Sequence, residues 1–125
     1  MKPTRKPSRW VLTTLPLALP TCLLLFALSS QADTATEIEH LFEYIASSGC
    51  TFQRNGSLHD SSAASAHLRK KYAHTQRWVK TSEDFIRFTA TQSSISGQPY
   101  TVICGAVESP TAQWLTEELD RFRRR

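Results

Sequence analysis

Read for apolar and polar positions, the chain changes character near residue 32. Before it, an uncharged, mostly apolar run extends from Trp10 to Leu28. After it, apolar residues recur at the spacings of amphipathic elements. Ile38, Leu41, Phe42 and Ile45 fall on one helical face, after Thr34-Ala35-Thr36-Glu37, which spells a capping box. Ser47-Ser48-Gly49 ends this helix, with Gly49 suited to a left-handed cap. Cys50 to Arg54 has strand character, Asn55-Gly56 is a strong hairpin signal, and Ser57-Leu58-His59 forms a short return strand. Asp60 or Ser61 caps a second helix with Ala64, Leu68 and Tyr72 on its buried stripe, running to about Val79. Thr81-Ser82-Glu83-Asp84 opens a third helix anchored by Phe85, Ile86 and Phe88. A flexible loop, Ser93-Ser94-Ile95-Ser96-Gly97, leads to a β-branched strand from Tyr100 to Cys104. Ser109 as N-cap and Pro110 as first residue start a final helix. Its stripe is Trp114, Leu115, Leu119 and Phe122, and Arg121 and Arg123 to Arg125 complement its C-terminal dipole.

This order predicts an α+β domain: a small antiparallel sheet, made of a hairpin plus a later strand, packed with about four helices. No internal repeat is visible, and residues 33–125 read as one small domain.

The N-terminal segment reads as a secretory signal peptide, residues 1–32. Lys2, Arg5, Lys6 and Arg9 form a basic start, the apolar run follows, and Ser30-Gln31-Ala32 offers a small-x-small cut. An uncleaved anchor helix is the competing reading, since the run is about long enough to span a bilayer. Pro16 and Pro20 argue against it. Lipid modification of Cys22 is a third reading, disfavoured by the position of that cysteine inside the apolar run. The expected location is therefore the periplasm, with membrane contact only through the segment before cleavage.

Removing the signal changes the electrostatics. The chain carries +4, but all four basic residues of the first 32 lie in the signal and no acid does. The remainder has 11 basic and 11 acidic residues, so net charge gives no argument for nucleic acid. It also leaves Cys50 and Cys104, an intramolecular pair in an oxidising compartment. Free buried thiols are the alternative; a metal site is weaker still, without a CxxC or nearby histidine spacing.

Charge within the domain is segregated. Residues 61–80 hold Arg69, Lys70, Lys71, Arg77 and Lys80 and no acid, between two acidic segments. The second helix is thus either a site for an anion (phosphate, lipid head group or peptide carboxylate) or a surface balanced by its acidic neighbours. His67 and Lys71 share one face. Arg54, His67, Lys70, Lys71, Ser94 and Ser96 are the candidate ligand-binding residues. His67 with Ser94 or Ser96 is a weak catalytic candidate, since no GxSxG, HExxH or paired-carboxylate signature is present. A metal site at His59, His67 and His74 is weaker again, four glycines form no phosphate loop, and no cofactor is expected. Trp78 and Trp114 are core residues or partly exposed anchors of a groove.

Ser48-Gly49-Cys50-x-Phe52-x-Arg54-Asn55-Gly56, His67-Leu68-x-x-Lys71-Tyr72, Thr81-x-Glu83-Asp84-Phe85-Ile86, Ser93-Ser94-x-Ser96-Gly97-x-Pro99-Tyr100 and Trp114-Leu115-x-x-Glu118-Leu119 resemble a family of small exported bacterial proteins of unknown function. The resemblance spans nearly all of residues 33–125 and implies a Gram-negative periplasmic setting, without an activity or assigned catalytic residue. The chain departs from that family's pattern at His59, where an aromatic is usual, and at Ala63, where a Glu is. A Glu there would precede His67 by one turn, and its absence counts against acid–base work by His67. The expected function is a non-enzymatic periplasmic binding or interaction module for an anionic or peptide ligand. The alternatives are a small hydrolase using His67 and a loop serine, and a protein inhibitor or partner of an envelope enzyme.

Overall fold

The computed structural model describes residues 2–5, 8, 13–17 and 26–125, with side chains of the first helix from residue 33 onward. Residues 1, 6–7, 9–12 and 18–25 of the expected signal peptide, Cys22 included, therefore lie outside the described residues. Among the described residues no helix is long and apolar enough to cross a membrane.

Helix α1 (Phe26–Ser47) precedes β1 (Thr51–Arg54), β2 (Ser57–His59) and α2 (Ser61–Thr75). A 3-10 turn, Gln76–Trp78, leads to α3 (Ser82–Phe85), which widens into a π-helical turn, Ile86–Ala90. Then come β3 (Thr101–Cys104), β4 (Val107–Pro110) and α4 (Thr111–Arg123). The four strands form one antiparallel sheet in the order β2-β1-β3-β4. The fold is α+β, as the sequence predicts, and Cys50 and Cys104 are joined in a disulfide across β1 and β3.

The local chemistry explains most elements. Asn55 and Gly56 both have positive φ, at 51° and 77°, the requirement of a type I′ turn that matches the twist of its strands. Asp60 caps α2 by accepting from Ala63 N at 2.7 Å. Thr81 and Asp84 form a complete capping box on α3. In the π turn, Thr91 Oγ1 donates to Ile86 O at 2.8 Å, so the widened turn keeps that carbonyl satisfied.

Several expectations are corrected. Helix α1 is already under way at Thr34, which places the expected cap inside the helix. Glu37 turns instead to Ser82 Oγ and to Arg123. Helix α2 ends at Thr75, not near Val79. Trp78 is 50% exposed, with the Arg77 guanidinium 4.0 Å over its ring. Phe88 is likewise partly exposed under Arg87. The sheet has a fourth strand that the pattern concealed. Gly105 (φ 62°) holds the first central position of a two-residue turn, where a II′ hairpin takes glycine. Ser109 belongs to β4, and Pro110 is both its last residue and the cap of α4. An edge strand tolerates proline because that edge needs no N–H.

The core lies between the sheet and the helices. Phe85 is fully buried, edge-on to Phe42 (5.0 Å) and Tyr72 (5.4 Å). Ile38, Leu41, Ile45, Leu68, Leu115 and Leu119 surround them. Trp114 stacks on Tyr44 at 4.4 Å and meets Phe52 edge-on.

The sequence carries no repeat, but the fold does. Adding 50 to each residue number carries β1, β2 and the start of α2 onto β3, β4 and the start of α4. The central register obeys the same operation: Phe52 pairs Val102, and Thr51↔Ile103 maps onto Gln53↔Thr101. A local two-fold therefore passes through the Phe52–Val102 pair. Between residues 51–75 and 101–125, Thr51 and Thr101 are the sole identical pair. What breaks the symmetry is the connection into each half. Three residues separate α1 from β1, whereas residues 91–100 intervene between the π turn and β3.

Candidate functional site

The 91–100 segment folds over the outer face of α2, and the candidate site forms beneath it. The segment is internally organised. Ser93 is buried; its Oγ accepts from Ile95 N and Ser96 N at 3.3 Å, and Ser93 N donates to Gln98 O at 2.9 Å. Gly97, at φ 71°, donates to Ser93 O and closes the turn. Two contacts fasten it. Ser96 Oγ donates to Asn55 Oδ1 on the hairpin turn, at 2.5 Å, and Lys71 Nζ donates to Gln92 O from α2, also at 2.5 Å.

A cleft of about 230 Å³ results. Arg54, His67, Lys70, Lys71 and Ser94, expected to act together, all line it. Ser96 does not; it holds the loop to the hairpin from outside. Asn55, His74, Ile95 and Tyr100 complete the wall, and the lining contains no carboxylate. His74 stood in the sequence only as a weak metal candidate beside His59 and His67. Tyr100 read only as a strand residue, and the signal for it lay in its place just before β3, facing α2.

The centre of the site is a three-residue contact. Arg54 Nη1 lies 2.6 Å from His67 Nδ1 and 3.1 Å from Nε2. Arginine only donates, so the nearer ring nitrogen carries the lone pair. This assigns the neutral tautomer protonated at Nε2, which can donate to Tyr100 Oη at 3.4 Å. Burial holds the His67 pKa below its ordinary value, and the charges of Arg54, Lys71, His59 and Lys70 push it the same way. Burial also lowers Lys71 and raises the Tyr100 phenol, the latter against the opposing pull of Arg54. Lys71 Nζ stands 5.0 Å from the centre of the Tyr100 ring.

The basic helix is only partly balanced by its neighbours. Arg69 pairs with Glu39, and at 3.8 Å with Glu43. Arg54, Lys70 and Lys71 make no ion pair among the described residues, although acids are plentiful elsewhere on the domain. Concentrating unpaired cations against a half-buried histidine is electrostatically unfavourable. Among the described residues no cluster of three metal-ligating side chains occurs.

A second, narrower cavity of about 30 Å³ lies on the inner side of Arg54, between β1 and α2. Arg54, His67 and Tyr100 line both spaces, and Ala63 lies on the wall of the inner one beside His67.

The model of a family of unknown function (DUF5329) matches residues 32–123. An uncharacterised protein, YfeK, of Salmonella typhimurium is 46% identical over 50 residues. That stretch covers 40% of this chain and 42% of the relative, so the likeness reaches less than half of the relative's length. No solved structure gives a significant match.

Proposed function

Because the chain belongs to the DUF5329 family, for which no function is known, we propose from the cleft itself that the protein is a non-enzymatic binding module holding a small anionic ligand, a phosphate or a carboxylate such as a peptide terminus. The observation that carries this is the set of Arg54, Lys70 and Lys71, each without a carboxylate partner among the described residues, around a cleft whose lining has no acid. A bound anion would accept from Arg54 and Lys71, and charge-assisted bonds of this kind are the strong ones. Ser94 and Asn55 would supply neutral donors at the rim. His67 already spends its contacts on Arg54 and Tyr100, which favours binding over hydrolysis by His67 and a loop serine. We place the module in the periplasm, on the signal-like pattern of residues 1–32 and the Cys50–Cys104 bond.

The test is a titration of the oxidised protein with inorganic phosphate and acetate, followed by calorimetry and by the His67 ring resonances. Lys70→Glu with Lys71→Glu is expected to weaken binding at least tenfold, with wild-type affinity falling as salt rises. Affinity unchanged by the double reversal sinks the proposal. For location, mass spectrometry of the envelope protein should find Asp33 as the first residue; a retained segment refutes the cut after Ala32.

A further inference from the structure

The inner cavity holds two polar atoms that nothing satisfies. His59 Nε2 and Thr111 Oγ1 are sealed from solvent and make no hydrogen bond among the described residues. Both side chains line this cavity, and Thr111 is 1% exposed. Buried polar groups are almost always paired, so two orphans in one small cavity need a reason. The fold does not impose them. Ser61 is the symmetry counterpart of Thr111, and its hydroxyl donates to Cys50 O at 2.9 Å. Phe52, Ala63, Ala64 and Leu68 give the cavity its apolar walls, with Gln53, His67 and Tyr100 beside Arg54. The space suits a few heavy atoms, and its chemistry asks for one oxygen at the end of an apolar stem.

We propose that the inner cavity is a subsite for the uncharged, oxygen-bearing end of the ligand whose anion rests on Arg54. This builds on the anion-binding reading above. The ligand class is then a short-chain carboxylate with a hydroxyl at its far end. A hydroxyl both donates and accepts, so it suits Thr111 Oγ1 and either tautomer of His59. Arg54 stands at the junction of the two spaces and orients the molecule between them.

The experiment uses the purified oxidised protein and two probe series: propionate, butyrate and pentanoate, and their terminal hydroxy derivatives. At the chain length that fits, the hydroxy acid should bind about two- to tenfold more tightly than its parent, the worth of one ordinary hydrogen bond. Thr111→Val should abolish that gain while the parent acid still binds in a way that depends on Arg54 and Lys71, and Thr111→Ser should restore it. Equal affinities for parent and hydroxy acids at every length overturn the subsite but leave the outer cleft intact, provided binding still depends on Arg54 and Lys71. If the hydroxyl gain survives Thr111→Val, the subsite is also overturned. If no probe binds in a way that depends on Arg54 and Lys71, both readings fail.

Discussion

Glu118 offers the sharpest test of how the helices are held together. It is 2% exposed, a carboxylate on α4 facing α1. Its Oε1 lies 2.7 Å from His40 Nε2, and its Oε2 accepts from Arg121 Nε at 2.8 Å, with Arg125 at 3.6 Å. An ionised carboxylate only accepts, so His40 Nε2 is the donor. Burial alone pushes the Glu118 pKa up, but the hydrogen bonds from His40 and Arg121 outweigh it and hold the group below its ordinary value. In Glu118→Gln the shape survives and the charge does not. A hydrogen bond to a charged group contributes about 1.5–3 kcal/mol. The Arg121 partner is half exposed and is discounted to about 1 kcal/mol, and the amide keeps one neutral bond. The net loss is about 2–3 kcal/mol. For a domain of this size that lowers the melting temperature by roughly 8–24 °C. The assay is thermal unfolding by circular dichroism at neutral pH and at acid pH. The sign follows from the lowered pKa: the stabilisation is present above the unfolded carboxyl's pKa and is lost as pH falls through the folded one. The gap between wild type and Glu118→Gln must therefore close in acid. A gap under about 0.5 kcal/mol at neutral pH, or one that persists in acid, refutes the reasoning.

Three further outcomes are expected. The Cys50–Cys104 bond spans a sequence separation of 54, for which loop closure gives about 4 kcal/mol; Cys50→Ser with Cys104→Ser should lose about that much in urea unfolding, and a loss under about 1 kcal/mol contradicts it. Phe85→Ala empties the space against Phe42 and Tyr72 and should cost about 3–5 kcal/mol, read from the same denaturation curve. His67, whose pKa is depressed first by burial and then by the cations of Arg54, Lys71, His59 and Lys70, should titrate higher by NMR in Arg54→Gln or Lys71→Met. Its neutral state favours the fold above the ordinary histidine pKa, and that contribution disappears as pH falls below it, whereas anion affinity should rise over the same range.

The elements that announced themselves did so through backbone chemistry with few solutions. Asn55-Gly56 and the Thr81/Asp84 box each demand one local geometry, and the structure has it. The helix stripes of Leu68 and Leu115 followed from period alone. The second hairpin escaped because Gly105-Ala106 is a weaker turn signal, and Pro110 after Ser109 reads equally well as a helix start. Trp78 read as core or as a partly exposed anchor, because size and apolarity do not report position; it is half exposed, with Arg77 over its ring. For the site, the basic charge of α2 and the loop serines were legible. That Tyr100 joins them, and that Ser96 faces Asn55, depends on how residues 91–100 cross α2, which no local pattern encodes.

The internal two-fold has a consequence for how the chain can be divided. Each half is a helix, a hairpin and a second helix, and the halves meet along the Phe52–Val102 pair. A nick between Trp78 and Ser82 should thus leave two pieces of similar size, still tethered by sulfur, that reassemble by themselves. Such a split molecule would restore the cleft only on reunion, since α2 comes from one piece and the loop that covers it from the other. Ligand binding would then report fragment complementation directly.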